Sequence, residues 1–185
     1  MNGDTKKILR LTFILFVICA ITAGILGVVN EVSKDTIYMQ KNAKTIAAYS
    51  AVLKADRYDP VEFDSEAFPT IDEVSKADNG SGYVVKTTFP GSQSTITMVV
   101  GVDNDLKCTG ISIVEHGETS GLGANAASTA EVGVNFRAQF VGQGEDIALS
   151  SGGGSIQALT GATQTSTSVT NATATAISVV KSILG

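Results

Sequence analysis

The feature that most constrains the fold of this chain is residues 11–29, nineteen residues without a charge. As a helix, at about 1.5 Å per residue, this run spans roughly 28 Å, close to the roughly 30 Å hydrocarbon core of a bilayer. Lys6, Lys7 and Arg10 precede it, and basic flanks stay on the cytoplasmic side. The sequence therefore predicts a single transmembrane helix at residues 11–29, with residues 1–10 in the cytoplasm and the remainder outside.

Two alternatives to an uncleaved membrane anchor are open for this segment. A cleaved signal peptide would find a tolerable cleavage site at residues 21–23, Ile-Thr-Ala, but the apolar run is longer than the usual signal core. A lipoprotein would need a small residue before Cys19, where Val17 and Ile18 stand instead. The length of the run favours the anchor.

The charge balance limits what the remainder of the chain can bind. Beyond residue 30 there are ten basic and seventeen acidic residues. An acidic domain of this kind lacks the clustered basic side chains that nucleic acids or anionic membrane surfaces attract. Its roughly 155 residues are enough for one domain with a core, and too few for two.

Cysteine and histidine are too few in this chain to form a haem, iron–sulfur or zinc site. The chain has two cysteines, Cys19 in the apolar run and Cys108, and a single histidine, His116. This set provides neither an internal disulfide nor the ligands of a haem, an iron–sulfur cluster or a zinc site. We interpret Cys108 as a small core residue on a strand.

The pattern of the remaining chain predicts an α+β domain, an antiparallel sheet with flanking helices, behind the transmembrane helix. Residues 30–69 are expected to form a helical tether followed by a surface connection, and residues 70–185 the domain. Three β-branched segments separated by turn residues indicate an antiparallel meander with one buried face. These segments are residues 82–89, 95–102 and 108–114.

Further elements follow the predicted meander. Val132, Phe136 and Phe140, spaced by four, indicate a helix, and the glycine-rich residues 150–155 a flexible loop. Apolar residues spaced by three and four from Val169 onward predict a last helix. It is expected to begin near Thr165.

The start of this last helix carries small and hydroxyl residues. Residues 158–166 read Ala-Leu-Thr-Gly-Ala-Thr-Gln-Thr-Ser. The first N–H groups of a helix have no partners within it, and with the helix dipole they form an anion site that suits a phosphate. Ordinary capping by Ser and Thr is the simpler interpretation of this motif taken alone.

A second motif lies upstream, where residues 115–123 read Glu-His-Gly-Glu-Thr-Ser-Gly-Leu-Gly. A Gly-x-Gly alone is weak evidence for a nucleotide, and Glu118 and His116 also fit a solvated pair at a strand end. Together, however, the two motifs resemble the FMN-binding domain of the G subunit of Rnf electron-transport complexes. The related C subunit of the sodium-pumping NADH:quinone oxidoreductase shares this domain.

The resemblance covers nearly the whole chain, with two departures. In the family, the upstream motif reads Glu-Thr-Pro-Gly-Leu-Gly, and Ser120 replaces its proline. The other motif reads Asp-x-x-Ser/Thr-Gly-Ala-Thr, and Gln157 stands where aspartate is common. Residues 82–83, 101–103 and 136–140 also look like family positions.

The resemblance implies a phosphoester bond between FMN and Thr163, formed by a separate flavin transferase. It also implies a set of cofactor-binding residues but no catalytic residue on this chain: Glu118, Thr119, Gly121, Leu122, Gly123, Thr160, Gly161, Ala162, Thr165 and Ser166. The implied function is electron relay within a complex that couples ferredoxin/NAD electron transfer to sodium or proton translocation. The partners would be other membrane subunits of that complex, in the cell membrane.

Three alternatives to this functional interpretation are open. A stand-alone extracellular flavoprotein would share both motifs but would lack partner subunits. A subunit of the quinone-reductase type usually carries a longer extracytoplasmic domain than this chain. A surface or adhesion module without redox chemistry would be colourless.

Overall fold

The computed structural model describes the backbone of residues 3–185 and the side chains of residues 9–24, 26 and 43–185. The chain divides into two compact units, Met1–Ala43 and Lys44–Gly185. Helix α1, Gly3–Val52, supplies the described part of the first unit and the first residues of the second.

In the first unit, α1 carries a long series of exposed apolar side chains, among them Leu11, Phe13 and Phe16. Within the part of the chain that has described side chains, no helix is both long and apolar enough to cross a membrane. Side chains 25 and 27–29 of the predicted span lie outside the described residues, as do residues 1–2. The transmembrane helix stays a prediction.

The second unit is built on a five-stranded antiparallel sheet whose strands follow one another in chain order. The strands are β1 Tyr58–Val61, β2 Ile71–Ala77, β3 Gly82–Pro90, β4 Thr95–Asp103 and β5 Cys108–His116. The predicted meander is confirmed as β3, β4 and β5. Strands β1 and β2 were not predicted. Strand β1 is short and contains Pro60, which is tolerated at the edge of a sheet. In β2, charged residues interrupt the apolar ones.

Two helices cover the inner face of this sheet. Met98 and Val100 on β4 are fully buried there and share one core with Val169 and Ile177 of helix α3, Thr163–Leu184. Helix α2, Glu131–Ala138, confirms the helix predicted from the spacing of Val132, Phe136 and Phe140. Helix α3 begins two residues before the predicted start at Thr165. The predicted α+β domain, an antiparallel sheet with flanking helices, is therefore confirmed.

The predicted burial of one face of the sheet is confirmed, but a second cluster also covers part of the outer face, which was not predicted. The last turns of α1 pack Tyr49 and Val52 against Val99, whose side chain is fully buried. The Thr109 hydroxyl donates to the Val52 carbonyl at 2.6 Å. A Cβ atom at Gly101 would lie 2.7 Å from the same carbonyl oxygen. Residues 44–52 are therefore part of this unit.

Two smaller features differ in detail from the sequence interpretation. The glycine-rich residues 150–155 include a short 3-10 helix, Ser150–Gly152, followed by Gly153 with a φ of +86°. Cys108 lies at the start of β5 and is buried, as predicted, and burial raises the pKa of its thiol to about 12. Its reactive thiolate form is therefore disfavoured at neutral pH.

Candidate functional site

The two sequence motifs meet at a buried hydrogen bond. Glu118 lies just beyond the end of β5, and Thr165 lies in the first turn of α3. The Thr165 hydroxyl donates to Glu118 Oε2 at 2.5 Å, joining residues 47 positions apart. A Cβ atom at Gly123 would lie 2.6 Å from each of these two oxygen atoms. Glycine is therefore required at position 123 for the motifs to pack together.

The other carboxylate oxygen of Glu118 holds the turn between β3 and β4. Glu118 Oε1 accepts hydrogen bonds from the backbone N–H groups of Ser92, Gln93 and Ser94, at 3.1, 3.0 and 3.2 Å. A Cβ atom at Gly91 would lie 2.6 Å from this oxygen. From the sequence this turn was predicted only to connect two strands. Its Gly91 was the one available signal of a close backbone approach.

Hydrogen bonding keeps Glu118 ionised although only 8% of the residue is exposed. Burial raises the pKa of the carboxyl group, whereas the hydrogen bonds from Thr165 and from residues 92–94 lower it. The hydrogen bonds have the larger combined effect, so the pKa lies below its ordinary value. The interpretation of Glu118 as a solvated partner of His116 was wrong. His116 is half-buried, and its Nδ1 accepts a hydrogen bond from the Glu118 N–H at 3.3 Å.

The lowered pKa of Glu118 predicts a stability loss in acid. Because the pKa is lower in the folded than in the unfolded state, the stabilisation is present above the unfolded value of about 4.3 and is lost as pH falls through the folded value. We expect the urea midpoint of the wild type to fall more steeply below about pH 4.3 than that of Glu118→Gln. Equal slopes for the two proteins between pH 6 and pH 3 would contradict this assignment.

The start of α3 presents the predicted attachment residue to solvent. Ala162 at the cap position provides no side-chain hydrogen bond, and the first turn contains no acidic residue. The first N–H groups of any helix lack partners within it, and here no side chain at the cap position replaces them. Thr163 is the first helical residue and is exposed, and its hydroxyl has no hydrogen-bond partner within the described part of the chain.

Thr165 and Ser166, the next hydroxyl residues of the motif, point into the protein. Both are almost fully buried. The Ser166 hydroxyl donates to the Ala162 carbonyl at 2.9 Å and accepts from the Leu159 N–H at 3.0 Å. In this arrangement the two side chains fix the start of the helix, and their direct contact with a phosphate stays a prediction.

The other predicted residues of the two motifs differ in exposure. Thr119, Gly121, Leu122, Thr160 and Gly161 are exposed, whereas Ala162 is buried. Gly121 and Gly161 have φ angles of +78° and +72°, which favour glycine. A Cβ atom at Gly161 would lie 2.9 Å from Leu122 Cδ2, so the upstream motif also contacts the downstream one at the surface.

Comparison with known proteins identifies the family of this chain. Residues 91–178 match the family described as the FMN-binding domain, and residues 1–52 match the family described as the RnfG N-terminal region. The G subunit of the Na(+)-translocating ferredoxin:NAD(+) oxidoreductase complex of Acetobacterium woodii is 32% identical, over 91% of this chain and 89% of that protein. The chain belongs to the family of Rnf G subunits.

Two further relatives extend over nearly the same length. The G subunit of the proton-translocating ferredoxin:NAD(+) oxidoreductase complex of Clostridium ljungdahlii is 30% identical, over 100% of this chain and 97% of that protein. The G subunit of the ion-translocating oxidoreductase complex of Methanosarcina acetivorans is 29% identical, over 95% of both. The similarity therefore includes α1 as well as the domain that carries the two motifs.

The residues of the site in this Rnf family member fit an FMN cofactor. The uncapped start of α3 suits a phosphate. A surface groove of about 470 Å³ has Thr160, three residues before Thr163, among its lining residues. Apolar side chains and amides line this groove together. The lining residues are Val132, Asn135, Phe136, Gln139, Gln157, Ala158, Leu159 and Thr160.

Arg137 is a supporting residue to which the sequence analysis assigned no role. Its Nη1 donates to the carbonyl oxygens of Ala126 and Ser128, at 2.6 and 2.9 Å. Burial lowers the pKa of the guanidinium, which nevertheless stays charged at neutral pH. Arg137 thereby fixes the end of the 3-10 helix Gly123–Ala127, which begins with the glycine packed against Glu118. The available signals were its place on the predicted helix and within residues 136–140, which resemble family positions.

Proposed function

We propose that this Rnf-type protein carries FMN in phosphoester linkage to Thr163 and relays electrons within a membrane complex. That complex couples ferredoxin/NAD electron transfer to ion translocation. The observation that carries the proposal is the junction of the two motifs. Glu118 binds Thr165 there, while the Thr163 hydroxyl at the helix start is exposed and has no hydrogen-bond partner among the described residues. The relatives, which match this chain over most of their length, are named as subunits of such complexes, and we infer the complex from those names.

Attachment to Thr163 requires an external enzyme and an activated donor. A threonine hydroxyl is a weak nucleophile without a base or metal beside it, and Thr163 has neither in the described part of the chain. With a flavin dinucleotide as donor, the Thr163 oxygen bonds to the FMN phosphorus and the phosphoanhydride bond breaks. The nucleoside monophosphate leaves, and the hydroxyl proton passes to a base of the flavin transferase.

The chain contributes binding, orientation and electrostatics to the cofactor. FMN supplies the redox chemistry by accepting and donating electrons at its ring system. The helix dipole at the start of α3 stabilises the remaining phosphodiester charge by about 0.3–1 kcal/mol. Gly161 and Leu122 form the surface next to the attachment point. The buried Glu118 junction fixes these groups relative to Thr163.

The proposed location is the cell membrane, with residues 11–29 as a single anchor. The exposed apolar side chains from Leu9 to Leu26 are consistent with a lipid environment. Lys6, Lys7 and Arg10 orient the N-terminus toward the cytoplasm and the flavin domain toward the opposite side. A covalent bond would then keep the cofactor from diffusing away in that open compartment.

The proposal predicts a covalent flavoprotein in the membrane fraction of the native host. After alkaline carbonate extraction, a denaturing gel viewed under ultraviolet light is expected to show a fluorescent band near 19.1 kDa in the pellet. Under mild detergent the band should copurify with integral membrane proteins. A fluorescent band in the carbonate supernatant would favour a stand-alone flavoprotein. A colourless protein without partners would favour a surface module.

A further inference from the structure

We propose that Gln139 is a positioning residue that holds the attachment segment, residues 157–163, ready for the flavin transferase. The proposal rests on the attachment of FMN to Thr163 described above. Gln139 follows α2 directly as its C-cap residue. Its side chain reaches the backbone of Gln157, the first residue of the attachment segment, with both of its polar atoms.

The contact between Gln139 and Gln157 imitates the pairing of two β-strands. The Gln157 N–H donates to Gln139 Oε1 at 2.8 Å, and Gln139 Nε2 donates to the Gln157 carbonyl at 3.3 Å. One amide side chain therefore satisfies both backbone groups of one residue. This pairing fixes the backbone direction at position 157 while the Gln157 side chain stays exposed.

The attachment segment is held again at Leu159, whose N–H donates to the buried Ser166 hydroxyl. Immediately before the segment, the buried Ile156 donates its N–H to the Ala148 carbonyl at 3.1 Å. Thr163 thus lies between fixed points at Leu159 and Ser166, and Gln139 supplies the fixed point at the beginning of the segment. The contacts with Ile156 and Ser166 are buried, whereas the contact with Gln139 is at the surface.

This surface position separates positioning from stability. Exposed hydrogen bonds contribute little to folding. Loss of the Gln139 amide is therefore expected to leave the fold intact while the backbone at position 157 gains conformations. An enzyme that binds the attachment segment must then order it again, and this cost appears in its affinity for the chain.

The test is the kinetics of flavin transfer from flavin adenine dinucleotide by a flavin transferase to the full-length chain in detergent. For Gln139→Ala we expect the KM for the chain to rise about fivefold, the equivalent of about 1 kcal/mol, with kcat unchanged. Gln139→Glu keeps an acceptor for the Gln157 N–H but opposes its carbonyl with a carboxylate. It should raise KM at least as much.

Gln143→Ala is the matched control. Gln143 Oε1 accepts a hydrogen bond from the Ser155 hydroxyl at 3.0 Å, just outside the attachment segment. This variant loses a comparable surface contact and should keep the wild-type KM. A wild-type KM for Gln139→Ala, or equal increases for the two alanine variants, would overturn the proposal. The proposal would also be overturned if Gln139→Ala lowered the melting temperature so far that partial unfolding at the assay temperature explained the higher KM.

Amide hydrogen exchange on the unmodified chain tests the contact itself without any flavin. Gln139→Ala should accelerate exchange at Gln157 and leave Leu159 protected by Ser166. Unchanged exchange at Gln157 would overturn the positioning role. If the wild type accepts no flavin although Gln157 exchange responds, the proposed attachment fails, and the role of Gln139 in flavin transfer fails with it.

Discussion

Thr163→Ala is expected to abolish covalent flavin attachment completely, because it removes the hydroxyl oxygen through which the chain is proposed to bond to the FMN phosphorus. The substitution lies at an exposed position whose hydroxyl has no hydrogen-bond partner within the described part of the chain. Stability should therefore change by less than about 0.5 kcal/mol. The readout is flavin fluorescence of the denatured protein after expression with a flavin transferase, compared with the wild type at equal protein concentration.

Two companion variants make the loss at Thr163 interpretable. Thr163→Ser retains a hydroxyl at the start of α3 and should retain covalent flavin. Thr167→Ala removes a hydroxyl one turn later, which donates to the Thr163 carbonyl at 2.9 Å, and should remain labelled. Residual covalent flavin in Thr163→Ala would show that FMN is attached to another hydroxyl. Loss of covalent flavin in Thr167→Ala would indicate that the flavin transferase no longer recognises the chain.

Glu118→Ala is expected to destabilise the domain by about 2–4 kcal/mol, since hydrogen bonds to a charged group contribute about 1.5–3 kcal/mol each and do not add fully. The substitution leaves the Thr165 hydroxyl and the N–H groups of residues 92–94 without their carboxylate acceptor. Urea unfolding followed by circular dichroism measures the change. Glu118→Gln keeps the shape and one acceptor oxygen and should lose less.

The control for Glu118 is Glu62→Ala, which removes an exposed carboxylate from the connection after β1 and should change stability by less than about 0.5 kcal/mol. A double-mutant cycle with Thr165→Val isolates the contribution of the buried 2.5 Å hydrogen bond. Additive effects of Glu118→Ala and Thr165→Val would show that the two side chains do not interact, and the proposed junction of the motifs would be wrong.

Local pattern was sufficient to predict much of the domain. Alternation of apolar and polar residues indicated β4, spacing by four indicated α2, and spacing by three and four indicated the apolar stripe of α3. It missed β2, in which charged residues interrupt the apolar ones, and the burial of Val99 on the outer face of the sheet. That burial depends on α1, about fifty positions earlier in the chain, which no local window can detect.

The site was predictable from motifs, but its internal contacts were not. The two motifs indicated Thr163 and Glu118, yet the sequence offered no means to pair Glu118 with Thr165 or with the turn at residues 92–94. Gln139 lies within residues 136–140, which resemble family positions, but nothing in the sequence indicated that its side chain contacts Gln157. Such pairings depend on how distant segments approach one another in the folded chain, and only the structure shows that approach.

The most direct test of covalent FMN on Thr163 is tandem mass spectrometry of the protein from its native host. Trypsin cleaves after Arg137 and Lys181, so one peptide, residues 138–181, contains the whole attachment segment. The account predicts that this peptide carries FMN less one water, with the added mass appearing between fragments that end at Ala162 and those that include Thr163. An unmodified peptide, or the added mass on another residue, would contradict it.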